Sequence, residues 1–485
     1  MSKKRILFVI PRNKSLFGDK TTVAGHPHIG VAYLSAFLKQ SNIEIAIYDD
    51  GVDFDHAQML DQIKSFQPDI IGITIFSYCF EFAKELIGKI RSATKIPIIA
   101  GGPHVSAVKR GIFEQLDVDF SVKGEGEHTL LEFLDEINKP KPDYSTIAGL
   151  IWKDTGNPVE NADRPPIMNL DELPFPDQDS FPMQRYSSNI SKVYPLITSR
   201  GCPFGCNYCS VRLSMGQRFR ARSAQNVFDE IQFLTTRGFQ EFAINDDCFT
   251  LDKQRAEDIC DLIIEHKLAI RFQLFNGIRV DTVTPRLLKK MKAAGCFFLS
   301  YGCEAGTEKV LKAIRKGIHL QQVRDAVRWT NEAKIHNSVN FIIGHTQETY
   351  QDALETIRFA ESLPTDFVNF YNLLPYPGTE SFEWIQSHGR FLIPPEEFLR
   401  TVSYRDNSPV FETPEFSAEQ RSEVTRRGFN LYRKRILTYR LGKGLGTCMY
   451  LATSCEPINK LATNFALGTN IGKRIYGALS KRSVS

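Results

Sequence analysis

The sequence predicts an α/β chain: a doubly wound N-terminal domain, a partial (β/α)6 barrel, and a helical, basic C-terminal region. Three observations carry this. Short apolar runs alternate with helical patterns through residues 1–150. The alternation resumes from Tyr194 to Leu374 after a proline-rich interruption. Residues 421–485 hold 13 Lys or Arg against two acids, whereas residues 1–420 sum to −7 in a chain of net charge +4. The expected boundaries are 1–150, a linker at 151–190, a barrel at 191–385 and the basic region at 386–485.

Within the first domain, strands are expected at Arg5–Ile10, Ile43–Tyr48, Asp69–Ile75, Ile96–Ala100 and Val118–Val122. Helices are expected at Val31–Lys39, Ala57–Phe66, Phe80–Arg91 and His128–Ile137. Such alternation makes a parallel, Rossmann-like sheet covered on both faces, with its ligand beyond the carboxyl ends of the strands. The loops there are Pro11–His28, Asp49–Val52, Phe76–Cys79, Gly101–Val105 and Lys123–Gly126. No GxGxxG follows the first strand, which argues against a nicotinamide cofactor. Histidines 26, 28 and 104 fall in these loops, as cofactor contacts or as ordinary hydrogen-bonded side chains.

Pro158, Pro165, Pro166, Pro174, Pro176 and Pro182 mark an extended connector. Barrel strands are then expected at Tyr194–Thr198, Glu241–Asn245, Arg271–Phe275, Cys296–Gly302, Ser338–Ile343 and Phe367–Leu373. Intervening helices include Ala224–Thr236 and Pro285–Ala294. Chemistry in such barrels sits at the carboxyl ends of the strands.

A hydrophobic content of 42% and a charged content of 24% are ordinary for a globular protein. No apolar run approaches the ~18–20 residues that span a bilayer. The start Met-Ser-Lys-Lys-Arg5 leads straight into a strand, so no secretory leader is expected. A reducing, cytoplasmic location follows, with membrane-peripheral contact as an open addition.

After the first barrel strand comes Thr198-Ser-Arg-Gly-Cys-Pro-Phe-Gly-Cys-Asn-Tyr-Cys209, which places Cys202, Cys206 and Cys209 in a CxxxCxxC spacing. Three thiolates on one loop hold three corners of a cubane 4Fe–4S cluster and leave one iron open. Structural zinc wants four ligands, and here no fourth Cys or His lies near before Cys248. A disulfide framework wants an oxidising compartment and a small, cysteine-dense chain, against 10 Cys in 485 residues here.

Around this loop the sequence resembles the radical S-adenosylmethionine (SAM) enzymes that carry an N-terminal cobalamin-binding domain. The resemblance covers about residues 5–380. It rests on Gly101-Gly-Pro-His-Val105, Gly124-Glu-Gly-Glu127, Thr198-Ser-Arg-Gly201, Arg218-Phe-Arg-Ala-Arg-Ser223 and Asn245-Asp-Asp247. Arg279-Val-Asp281, Met291-Lys-Ala-Ala-Gly295, Gly302-Cys-Glu-Ala-Gly306 and Pro375-Tyr-Pro-Gly-Thr379 continue it. It implies three cofactors: a 4Fe–4S cluster on Cys202, Cys206 and Cys209, SAM, and cobalamin. For SAM it points to Glu304 first, then Asp246, Asn276, Arg279 and the Ile343 backbone, with Asp247 an open candidate. For cobalamin it points to Gly101, Gly102, His104, Gly124 and Gly126. The sequence departs from the family in two places. DxHxxG is absent, Asp53-Phe-Asp-His56 being its nearest approach, and His345-Thr-Gln-Glu348 replaces the usual Gly-Leu-Pro-Gly-Glu turn.

By resemblance the activity is electron transfer to SAM, release of a 5′-deoxyadenosyl radical, and cobalamin-dependent methylation of an unactivated carbon. The substrate would be a lipid, isoprenoid, tetrapyrrole or other secondary metabolite. Cyclisation or another oxidoreductase outcome is the alternative. A methylthiotransferase is disfavoured, because its N-terminal domain would carry three cluster cysteines and residues 1–150 hold only Cys79. A one-electron partner such as flavodoxin or ferredoxin is implied.

In the basic region, Phe429, Tyr432, Ile436 and Tyr439 recur at helical spacing among Arg426, Arg427, Arg433, Lys434 and Arg440. A second set runs Ile458, Leu461, Phe465, Ile471, Ile475 and Leu479. Such helices suit an anionic membrane surface, or pack on the barrel with a solvated basic face. Nucleic-acid binding is disfavoured, since no known module pattern appears.

Overall fold

A computed structural model describes residues 3–12, 24–186, 193–395, 397–398 and 408–454. The first sheet contains β1 (Arg5–Ile10), β2 (Glu44–Asp49), β3 (Ile70–Thr74), β4 (Ile98–Gly101) and β5 (Phe120–Val122). Its helices are α1 (Ile29–Lys39), α2 (His56–Phe66), α3 (Phe80–Ala93), α4 (Pro103–Val108) and α5 (Glu127–Glu136). Side chains alternate between faces along β1. Ile6, Phe8 and Ile10 enter one core cluster, while Leu7 and Val9 enter the other. That is how one strand serves a sheet covered on both sides, and the doubly wound expectation holds.

The sheet runs on into the segment read as a connector. Strands β6 (Leu150–Asp154) and β7 (Asn157–Glu160) add an antiparallel hairpin, giving the order β2-β1-β3-β4-β5-β6-β7. Thr155 and Gly156 turn it with φ of 48° and 91°. Pro158 is tolerated because β7 is the edge strand. The strand order reverses between β1 and β3, so the ligand-side crevice of this sheet opens there.

Asp49 ends β2 inside the domain. Its carboxylate accepts from the Tyr186 hydroxyl at 2.7 Å and the Gly51 N–H at 2.8 Å. Burial pushes its pKa up from 3.8 to about 6. A folded pKa above the unfolded one means that stability from the protonated carboxyl is full below the unfolded value and is lost as pH rises through about 6. Asp49→Asn keeps an acceptor for Gly51 and a partner for Tyr186. We expect it to exceed the wild type by about 2–3 kcal/mol in urea melts at pH 8 and to match it at pH 4. Equal stability at both pH values would contradict the burial argument.

The second sheet is a six-stranded parallel open barrel, in the order β15-β14-β13-β12-β11-β8. Its strands are β8 (Val193–Leu196), β11 (Glu241–Ile244), β12 (Arg271–Ile278), β13 (Cys296–Glu304), β14 (His336–Ile343) and β15 (Phe367–Asn372). Two short strands, β9 (Ser199–Arg200) and β10 (Arg220–Ala221), pair beside its first strand. Helices α6 (Ala224–Thr236), α7 (Lys253–Glu265), α8 (Pro285–Ala293), α9 (Leu320–Glu332) and α10 (Tyr350–Ser362) alternate with the strands. Ser223, Asp252, Thr284 and Thr349 cap four of these helices, each accepting from a backbone N–H of the first turn.

Next comes α11 (Glu380–His388), and then the basic region forms α12 (Ala418–Leu441) and α13 (Lys443–Ser454). α12 covers the open edge at β15, with Val424 fully buried and Leu431 nearly so. At Gly428 a Cβ would lie 2.4 Å from the Phe370 ring, so only glycine allows this close an approach. Arg435 donates to the carbonyls of Glu361, in the last turn of α10, and of Leu363 and Thr365 just past it. The docked face is thus Val424, Gly428, Leu431 and Arg435; of the expected apolar set, Tyr439 packs against His336 and Phe367. Phe429, Leu445 and Leu451 stay exposed on this helix pair. The second apolar set, Ile458 to Leu479, lies outside the described residues.

Candidate active site at the carboxyl end of the barrel

The chain enters the cysteine loop through a braced strand. Asp246, at the end of β11, accepts from the Thr198 N–H, the Thr198 hydroxyl and the Ser199 hydroxyl, each at 2.6 Å. Gly201 follows with φ 84°, and a Cβ there would sit 2.4 Å from the Arg218 carbonyl. Cys202, Cys206 and Cys209 come next, all as free thiols, with Cys206 buried and the other two half-buried. Between them Asn207 pins the loop. Its N–H donates to Ile314 O at 3.3 Å, and its amide donates to Ala313 O and the Thr346 hydroxyl at 3.2 and 3.0 Å. Its amide oxygen accepts from Ser381 at 3.1 Å.

Two cations act on the thiols through space. Arg279 and Lys316 both pull the Cys202 and Cys206 pKa values down. Cys202 falls to about 6, chiefly because the Cys248 thiol hydrogen-bonds to it. For Cys206 burial prevails and the net direction is upward, while burial lifts Cys209 to about 11. Among the described residues, no three His, Cys, Asp or Glu side chains converge as for a single metal ion. Three soft thiols on one loop, beside two cations, fit an anionic iron–sulfur cluster.

Glu304 ends β13 at φ 75°, a conformation that a non-glycine residue rarely adopts. Its carboxylate accepts from buried Lys316 Nζ at 2.9 Å, and that ammonium lies 3.4 Å from the Tyr208 hydroxyl. Burial would lower the Lys316 pKa, but Glu304 and Cys206 together more than offset this and the net direction is up. Arg279 is spent on Asp281 at 2.9 and 3.0 Å and on the Lys316 carbonyl at 2.7 Å, so it fixes the turn that carries Lys316. Asn276 reaches back to the carbonyls of Asn245 and Asp246. The Ile343 side chain lies in the barrel core and its carbonyl accepts from Leu373 N at 2.8 Å.

These contacts redistribute the roles read from the sequence. Both carboxylate oxygens of Asp246 accept from the loop it braces. Asp247 stands next to Cys202, its carboxyl pushed up to about 7 by burial, by Asp246 and by Cys202. Lys316 and Tyr208 join the site only in the folded chain. Tyr208 was visible as the aromatic residue before the last motif cysteine, whereas Lys316 carries no local signal.

On the N-terminal side, Gly102 has φ 103°, and a Cβ would meet the Ile75 carbonyl at 2.8 Å. Gly101 precedes it at the end of β4. Gly124, at φ 75°, faces open space, and Gly126 abuts Leu34 at the start of α5. His104 differs from expectation. Its Nδ1 bonds Ser77 Oγ and its Nε2 bonds Gln115 Oε1, each at 3.0 Å, so both nitrogens serve the domain itself. His28 caps α1 through Nδ1, and its buried Nε2 has no partner. His56 is held by Asp50 at 2.8 Å. An orphaned buried imidazole nitrogen and the half-buried stack of Phe76 on Tyr78 follow β1 and β3, and the open glycine corner at Gly124 follows β5 on the same side of the sheet. They suit a bulky ligand with an apolar face and amide edges, as cobalamin has.

Comparisons with known proteins agree with this geometry. The model of the radical SAM superfamily matches residues 196–360, and that of the B12 binding domain matches residues 20–134. An uncharacterized methyltransferase of Pyrococcus horikoshii is 32% identical over 433 residues, covering 88% of this chain and 92% of that one. The cytidylyl-2-hydroxyethylphosphonate methyltransferase of Streptomyces wedmorensis is 25% identical over 90% of this chain and 91% of its own. An anaerobic magnesium-protoporphyrin IX monomethyl ester cyclase of Cereibacter sphaeroides is 27% identical over 78% of this chain and 63% of its own. In fold, the chain is similar to the radical SAM methyltransferase TsrM of Kitasatospora setae, with a TM-score of 0.70 at 19% identity over 81% of this chain and 79% of that one. It is also similar to the cobalamin-dependent SAM radical enzyme OxsB, with a TM-score of 0.71 at 16% identity over 99% of this chain and 75% of that one. With its cysteine loop, its barrel and its N-terminal ligand domain, the chain belongs to the radical SAM superfamily, in the group that carries a B12 binding domain and works with a 4Fe–4S cluster, SAM and cobalamin.

Proposed function

We propose that the protein is a cobalamin-dependent radical SAM methyltransferase that acts on carbon in a small, largely apolar metabolite or lipid. The observation that carries this is the joint presence of the three-thiol loop and the glycine-lined crevice of a B12-type domain, with Arg200 of the first bonded to Glu125 of the second. Cys202, Cys206 and Cys209 hold the cluster. Glu304 and Lys316 form a preset pair for a zwitterion, the carboxylate taking the methionine ammonium and the ammonium its carboxylate. Asp247 is a second acceptor, and Asn276 and the Tyr208 ring border the nucleoside. Arg279 orients Lys316, and Asp246 keeps the loop in place. Backbone at Gly101, Gly102, Gly124 and Gly126, with His28, receives cobalamin.

When bound, these groups supply an electron for SAM cleavage, a hydrogen-abstracting radical and a methyl carrier. The chain orients them and keeps water from the radical. A flavodoxin- or ferredoxin-type donor in the cytoplasm provides the electron. The exposed Phe429, Leu445 and Leu451 beside Lys434 and Lys443 give a membrane-surface contact for a lipidic substrate. Sedimentation with anionic but not neutral vesicles is the expected sign of that contact.

The cyclase relative favours a second reading, radical chemistry without methyl transfer. Incubation of the reduced holoenzyme with SAM and extracts of candidate apolar metabolites separates the two. The proposal predicts S-adenosylhomocysteine together with a product 14 Da heavier, the mass of one added CH₂. 5′-Deoxyadenosine without S-adenosylhomocysteine would favour the cyclase-type reading.

A further inference from the structure

One group of buried charges belongs to neither cofactor site yet touches both. Glu125 sits between Gly124 and Gly126, on the ligand side of the N-terminal sheet. Its carboxylate receives Arg200 Nη1 at 2.8 Å and Arg220 Nη1 at 2.8 Å on both oxygens. The other arm of Arg200, Nη2, donates to Glu127 Oε1 at 2.8 Å. Side-chain exposure is 9% for Arg200, 0% for Arg220, 7% for Glu125 and 4% for Glu127, so solvent screens none of these bonds strongly.

The linker passes through the same knot. Ile167 N–H donates to Glu125 at 2.8 Å, and its carbonyl accepts from Arg220 at 2.8 Å. Arg220 also ties back to Met215 O at 3.0 Å, within the segment that closes over Gly201. Two arginines against two glutamates leave no net charge, and the two flanking cations hold the Glu125 pKa down against its burial.

Position is what makes the knot informative. Arg200 lies two residues before Cys202, with only Gly201 between them, packed closely against the Arg218 carbonyl, and Asp246 holds Thr198 and Ser199 just before. A planar guanidinium that bridges two carboxylates, as Arg200 does with Glu125 and Glu127, has both its arms held. A shift of the Glu125 loop is therefore transmitted to Cys202 as a displacement of the loop.

We propose that Glu125, Glu127, Arg200 and Arg220 are positioning residues that hold the cysteine loop in register with the ligand-side loop of the B12-type domain, so that occupancy of the second site orders the first. The claim rests on the cofactor assignments under Proposed function. It goes beyond them in making the two sites one mechanical unit.

Hydrogen exchange on the cluster-loaded full chain, with and without hydroxocobalamin, tests it. In wild type, cobalamin is expected to slow exchange at residues 199–210 by about tenfold or more. Glu125→Gln should keep its iron and bind cobalamin within about threefold of wild type by absorbance titration, while losing that slowing. Glu127→Gln removes one bond only and should lose part of it, which keeps the test usable if the Glu125 variant folds poorly. Absence of cobalamin-dependent slowing in wild type, or its survival in both variants, overturns the proposal. Iron-free wild type would instead overturn the cofactor assignments beneath it. A purely structural network would speed exchange with and without cobalamin alike and leave the cobalamin-dependent difference intact.

Discussion

Asp246→Ala is expected to lose about 3–5 kcal/mol of stability and most of the bound iron. Three donors on Thr198 and Ser199 converge on this carboxylate at 2.6 Å, and Asp246 is only 4% exposed. Removing it leaves a main-chain N–H and two hydroxyls dry and unpaired. It also takes a nearby negative charge from buried Arg222 and Arg255. Asp246→Asn keeps one acceptor and should fall between. Urea unfolding and iron content read both effects. A stable alanine variant with full iron and weakened SAM binding would return Asp246 to the ligand role read from the sequence.

Lys316→Met is expected to weaken SAM binding by about a hundredfold or more and to lower stability by about 3–5 kcal/mol. The substitution leaves Glu304 buried without its cation, in a strained conformation at φ 75°. The double variant Lys316→Met/Glu304→Gln should regain most of the stability, because the stranded charge is gone, yet recover none of the affinity. Isothermal titration of SAM into cluster-loaded protein separates the two quantities. If the double variant binds SAM like the wild type, the pair is a structural brace and the zwitterion site lies elsewhere.

Both domains were legible because helix and strand periods are local properties of the chain. The expected strands Arg5–Ile10 and Glu241–Asn245 match β1 and β11 to within a residue. The β6–β7 hairpin was hidden by Pro158, which reads as a breaker unless the strand is known to be an edge. The cysteine motif was legible for the same reason as the strands, since its chemistry lies in its spacing. For Asp246 and His104, sequence shows the residue's type but not its partners. Asp246 serves the strand before the cysteine loop, and His104 serves Ser77 and Gln115. Lys316 meets Glu304 and Tyr208 only once β13 and the cysteine loop converge. The C-terminal amphipathic spacing was visible, but its target, the open edge at β15, exists only in the folded sheet.

Anaerobic purification with cobalamin supplied, followed by iron, sulfide and cobalt analysis, tests the central claim most directly. The comparison is between wild type and a Cys202/Cys206/Cys209→Ala variant. About four irons and one cobalt per wild-type chain are expected, with iron lost and cobalt retained in the variant. Wild type without iron would contradict the radical chemistry, and iron without cobalt would contradict the methyl-transfer reading.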